Sequence, residues 1–203
     1  MAAAVISASV LHSFLPDGMR PAERWVIPTF TVVLLGVLIA GDPGRIDKPK
    51  RWLSIVTGIL VGLLTLVNAV SAVELVAAIL DNVPFTNASV LLLYGGIVYV
   101  CNIIAFALWF WTLDGGGPAA RAAGTGTRPA FIFPEMNFTR IVGDGWYPKF
   151  VDYFAFAFAT ATAFSPTDVS AVRPWSKLLL VSEAALSLAL AALVIARAIN
   201  VLQ

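Results

Sequence analysis

The sequence predicts an all-α integral membrane protein: a helical bundle of four transmembrane helices, with a short re-entrant or interfacial helix before the last span. Three observations carry that reading. Hydrophobic residues make up 59% of the chain and charged residues only 12%, with a mean hydropathy of +0.87. A soluble globule carries about 25% charged residues, because its surface must be hydrated. Four apolar stretches also reach the length of about 17–25 residues that crosses roughly 30 Å of hydrocarbon as helix. The first three of them end at clusters of Gly, Pro, Asp and Asn that stop a helix.

The first span covers 25–41, with Pro28 tolerated in its opening turn, and ends at Gly41-Asp42-Pro43-Gly44. The second, 53–80, is long enough to tilt, and stops at Asp81-Asn82 with Pro84 beyond. The third covers 89–113 and stops at Asp114-Gly115-Gly116-Gly117-Pro118. The last covers 175–202, with Pro174 suited to a first turn. Residues 1–15 lack a positive flank and run into Pro16-Asp17-Gly18, so they read as an interfacial or loosely packed helix rather than a cleaved leader. All of 1–203 is expected to form a single membrane domain.

Between the third and last spans, 119–129 is rich in Gly, Ala and Thr and reads as a flexible loop. The stretch 131–148 is aromatic and punctuated by Pro and Gly, with Trp146 and Tyr147 suited to headgroup depth. Then 150–164 is strongly apolar, but its 15 residues of helix cover only about 22 Å, the length of a re-entrant half-helix.

Connector 42–51 holds Arg45, Lys48, Lys50 and Arg51, whereas 81–88 holds no cation. The positive-inside rule then predicts 42–51 and 114–174 in the cytoplasm and the C-terminus outside, in a multi-pass protein of the inner (plasma) membrane. A net charge of +1 offers no basic field for nucleic acid. Cys101, the only cysteine, sits in an apolar run and reads as packing. A single histidine, His12, excludes any site built from two. With no phosphate loop, metal cluster or nucleophile–base pair visible, the sequence points to no enzyme, no metal and no cofactor.

Several polar residues stand out against this apolar background. Thr160, Thr162, Phe164, Ser165 and Asp168, with Glu183, are candidates to line a polar path, the bland alternative being a capped helix end. Ionisable groups within spans are costly and often functional. Glu183 therefore draws attention, against the alternative that it pairs or sits protonated in the bundle. Glu74 lies about 32 Å beyond Leu53, and Arg197 about 33 Å beyond Trp175, so the two are candidates for an ion pair at matched depth, the alternative being that Arg197 snorkels to the headgroups and Glu74 caps its own helix end. Gly58 and Gly62 permit close helix approach, mainly within the chain, and Asn68 and Asn102 suit interhelical hydrogen bonds. Trp109, Phe110 and Trp111 read as interface anchors.

Residues 150–202 resemble the pore half-helix, filter and inner helix of the tetrameric potassium-channel superfamily. The likeness rests on Asp152-Tyr153-Phe154-Ala155-Phe156, Ala159-Thr160-Ala161-Thr162-Ala163-Phe164-Ser165, Asp168 and the long span that follows. The whole chain resembles more closely an uncharacterised bacterial family of multi-pass membrane proteins, on Gly41-Asp42-Pro43-Gly44-Arg45-Ile46-Asp47, on 102–118 and on 161–168. The channel resemblance implies passage of an ion or small solute. A potassium filter, however, uses glycines at positive φ, where this chain has Ala163-Phe164-Ser165. Alanine and serine are disfavoured there by about 1–2 kcal/mol. Pro166 also pushes Ser165 toward extended backbone. The expectation is a channel-like or transport-related protein without potassium selectivity. The other class is a non-transporting scaffold, sensor or binding protein. Its partners would be the lipid bilayer and, for a homo-oligomer, a second copy of the chain.

Overall fold

The computed structural model describes residues 1–41, 51–81, 88–143, 145–162 and 168–202. Eight α-helices occur among them: α1 (Ala2–Ser13), α2 (Val26–Gly41), α3 (Arg51–Leu80), α4 (Ala88–Leu113), α5 (Pro118–Ala122), α6 (Thr139–Val142), α7 (Phe150–Thr162) and α8 (Pro174–Leu202). Two short strands, β1 (Phe131–Ile132) and β2 (Ser170–Ala171), pair antiparallel outside the apolar runs.

Three helices are long and apolar enough to cross a membrane: Trp52–Leu80, Ala88–Gly116 and Pro174–Val201. Helices suit that solvent because each satisfies its own backbone hydrogen bonds. The apolar part of the first predicted span, α2, has 16 residues and so covers only about 24 Å. The basic connector on which the predicted orientation rests falls, at 42–50, outside the described residues.

α4 is the centre of the bundle, and its sequence is apolar on every face, as a helix packed all round must be. Gly95 lies against Val194 of α8 and Asn102 against Ser187, so α4 and α8 run antiparallel. Asn68 meets Asn102 while Thr65 meets Trp109, so α3 also runs antiparallel to α4. Gly41 sits beside Trp52 and Leu53, which folds α2 back along the first part of α3. The two stand apart over an apolar groove of about 320 Å³, lined by Pro21, Ile27, Phe30, Leu63, Leu66 and Val70 among others.

α1 is not loosely packed. Val5, Ala8, Ser9 and His12 are buried against α2 and α4. The Ser9 hydroxyl donates to Thr31 of α2, and the Cys101 thiol lies 3.7 Å from the Ala8 carbonyl. The small residues Ala8 and Ser9 let the helix approach closely enough for these contacts.

α7 starts at the C-terminal end of α4 and runs inward beside it. Tyr153, in its first turn, donates to Asp114 at the end of α4, and its last turn brings the Ala161 carbonyl to Tyr99, near the middle of α4. By β2 the chain has returned to the level of Asp114, because β2 pairs with β1 and the Ala130 and Phe131 amides bind the Asp114 carboxylate.

Candidate functional site at the middle of the bundle

The three long helices each place polar side chains near their midpoints. Asn102 of α4 donates to Ser187 of α8 at 3.1 Å and accepts from Asn68 of α3 at 3.4 Å. Asn102, Asn68 and Ser187 are all buried. An amide can serve both neighbours because it carries donor and acceptor on one planar group. Ser71, one turn beyond Asn68, is also fully buried, and its hydroxyl has no hydrogen-bond partner among the described residues.

Glu183 lies one helical turn before Ser187 on the same face of α8. It is 0% exposed, and among the described residues neither carboxyl oxygen has a hydrogen-bond partner. On the neighbouring α4, the Tyr99 hydroxyl donates at 2.9 Å to the Ala161 carbonyl in the last turn of α7. The carboxyl thus sits where α4, the tip of α7 and α8 converge. An isolated ionised carboxylate removed from water is penalised by several kcal/mol, so this position calls for a proton, a cation or an opening to water.

The other sequence candidates fall elsewhere. Thr160 and Thr162 return their hydroxyls to the helix, to the Phe156 and Phe158 carbonyls. Asp168 is exposed, and Phe164 and Ser165 lie outside the described residues. Glu74 is exposed on α3, and no ion pair joins it to Arg197 among the described residues. Matched depth did not bring them together because Glu74 is on a face of α3 turned away from the core, whereas Leu75 beside it is buried. A Cβ added to Gly58 or Gly62 would meet nothing within 4 Å, so this stripe makes no close helix approach among the described residues. The close approach occurs at Gly95, where an added Cβ would lie 2.6 Å from Val194.

A second buried polar cluster, at the end of α4, has no counterpart in the sequence expectations. The Asp114 carboxylate, 0% exposed, accepts from the Ala130 amide at 2.6 Å, the Phe131 amide at 3.3 Å and the Tyr153 hydroxyl at 2.5 Å. Arg121 donates to the Trp111 and Asp114 carbonyls, capping orphan acceptors at the helix end, and its guanidinium lies 5.0 Å from the centre of the Tyr153 ring. Burial pulls the Arg121 guanidinium below its ordinary pKa, with Tyr153 and Asp114 acting in the opposite direction. Burial pushes the Tyr153 phenol up, and the neighbouring Asp114 carboxylate adds to the rise while Arg121 opposes it.

This cluster orders the stretch that reads as a flexible loop. α5 forms within it, and Thr125 and Thr127 donate their amides to the Ala120 and Gly115 carbonyls. Gly115, Gly116 and Gly117 all have positive φ, which only glycine adopts without strain, and this lets the chain turn sharply enough to carry Arg121 back over the helix end. Around it, Phe110, Phe131, Phe133, Tyr153 and Phe156 pack with ring centroids 5.0–6.4 Å apart. Phe110 is fully buried there, in the core rather than at an interface, while the Trp109 indole donates to Thr65. An Asp beside three glycines reads as a helix stop, and only the distant Arg121 and Tyr153 give it partners.

No protein-family model, curated protein or solved structure matches the chain.

Proposed function

We propose that this chain is a multi-pass protein of the inner (plasma) membrane, transport-related or channel-like, in which Glu183 at the tip of α7 is the ion- or solute-handling group. In this reading α2 makes a fourth crossing, and α7 is a re-entrant half-helix entering and leaving from one side. The observation that carries it is the buried, unpartnered Glu183 carboxyl beside the end of a half-length helix. Buried ionisable groups in spans are stabilised poorly and persist chiefly where they act on ions or protons. The resemblance of 150–202 to a channel pore module supports the architecture. The lack of glycines at 163–165 argues against selection of potassium. No chemical conversion is assigned to the protein.

The test is flux through purified protein in liposomes, with wild type compared with Glu183→Gln at equal incorporation. Uptake of an ion or small solute that falls to the level of empty liposomes in the variant is the expected result. Equal flux in both, or none in either, overturns the reading.

A second reading, a non-transporting scaffold or sensor, is favoured by one specific observation. Glu183 is wholly shielded, and the aromatic cluster around Phe110 and Tyr153 fills the bundle between it and the α4 C-terminal end. Transport therefore requires a second conformation, and hydrogen exchange showing α7 and α8 equally protected under all ionic conditions would favour the scaffold.

A further inference from the structure

We infer that the species bound and released at Glu183 is a proton rather than a metal or alkali cation. This rests on the transport reading above and specifies its substrate.

The number of available oxygens comes first. Hard divalent cations take about six or more oxygen ligands, and alkali ions in pores are held by rings of carbonyls. Among the described residues, the Ala161 carbonyl and the Ser187 hydroxyl are the oxygens the neighbouring turns bring toward Glu183, and each is already engaged. The Ala161 carbonyl already accepts from Tyr99, and the Ser187 hydroxyl accepts from Asn102. No group of three or more His, Cys, Asp or Glu gathers among the described residues. A proton needs a single oxygen lone pair, and neither oxygen of Glu183 is engaged by a hydrogen bond among the described residues.

Space and charge point the same way. Glu183 has no exposed surface, so the closed arrangement can hold a bound proton on the carboxyl but leaves no room against it for a cation with its shell of ligands. Several charged and titratable groups on the packed elements are committed or turned outward. On α7, Asp152 accepts from the Lys149 amide and Tyr153 is bonded to Asp114. On α3, Glu74 is exposed, and on α4 the Cys101 thiol faces Ala8 of α1. Lys177 of α8 is exposed, and the Tyr99 hydroxyl of α4 is bonded to the Ala161 carbonyl.

Uptake forms an O–H bond on one carboxylate oxygen with a proton from hydronium, leaving water. Release breaks that bond and returns the proton to water on the opposite side. The described conformation is the closed one, and each exchange requires water to reach Glu183.

The experiment uses the full chain in liposomes holding a pH-sensitive dye, with a potential set by a potassium gradient and valinomycin, and sodium flux followed in parallel by tracer. Proton entry that disappears in Glu183→Gln and partly persists in Glu183→Asp is expected. Sodium flux without proton entry, lost in Glu183→Gln, overturns the proton assignment while leaving the transport reading intact. Absence of proton entry overturns the inference, and absence of flux of every ion and solute tried overturns the transport reading with it. Should Glu183→Gln fail to fold, Glu183→Asp decides by itself, since unaltered proton entry there overturns the inference. Infrared difference spectra of wild type add a readout free of flux. A carboxylic acid band that tracks bulk pH and shifts in Glu183→Asp is expected, and a band unaffected by either opposes the inference.

Discussion

The Tyr153 hydroxyl donates a 2.5 Å hydrogen bond to the Asp114 carboxylate, tying the first turn of α7 to the end of α4. Bonds to an ionised partner are worth about 1.5–3 kcal/mol, and Tyr153→Phe should lower stability in detergent by that amount. Asp114→Ala should lose more, because it strands the Ala130 and Phe131 amides as well, at about 1–3 kcal/mol for each buried donor left unpaired. Equal losses in thermal unfolding of the two variants would contradict this ordering.

The same bond sets a pH dependence. The Tyr153 phenol is held above its ordinary value, chiefly by burial, so the folded state favours the protonated form. Its contribution is complete below the unfolded value of about 10 and is lost as pH rises above that, toward the folded value. Wild type should therefore lose stability above pH ~10 more steeply than Tyr153→Phe. Parallel alkaline unfolding curves would refute it.

Arg121→Lys should not preserve the ordered loop. One ammonium cannot span the Trp111 and Asp114 carbonyls while stacking over Tyr153, as the planar guanidinium does. Limited proteolysis should cut within 119–129 faster in Arg121→Lys than in wild type, and unchanged cleavage would count against the capping role.

Gly95→Ala should destabilise by about 1–3 kcal/mol, because its Cβ would overlap Val194, while Gly58→Ala and Gly62→Ala enter open space and should be close to neutral. Val194→Ala should partly rescue Gly95→Ala. Additive losses in that double-mutant cycle would show that the two positions do not meet.

Asn102→Ala removes two interhelical bonds, one to Ser187 and one from Asn68, and should lower stability by about 1–2 kcal/mol. Asn68→Ala made on top of it should add little beyond its own lost packing. Full additivity would show that the amide pair contributes nothing.

The long spans were legible because hydropathy and stop signals are local properties of the chain. Lateral facing was not. Glu74 and Arg197 match in depth along their helices, yet depth says nothing of which face meets a neighbour, and Glu74 points outward. Gly58 and Gly62 carry a known packing spacing, but the glycines that admit a neighbouring helix are Gly41, against Trp52, and Gly95, against Val194. Glu183 was visible as an acid in an apolar run, whereas the nearness of Tyr99 and Ala161 depends on the fold. Asp114 and Arg121 looked like a stop and a loop cation, because the bonds that define them join residues 7 to 39 apart in sequence.

α7 is held near its two ends by unequal means. Its first turn is fixed by Tyr153 within a dense cage of rings and the Asp114 carboxylate, while its last turn is met by a phenol-to-carbonyl bond from Tyr99 and by the packing of the small Ala161 side chain. Mechanically this is a cantilever. Ala161 stands about 12 Å from Tyr153 along the helix, so about 10° of tilt at the clamp carries the tip about 2 Å sideways. That displacement is enough to break the Tyr99 bond, while hardly disturbing the clamped rings. Lever action of this kind would let a rigid, tightly packed base coexist with a tip that moves beside Glu183.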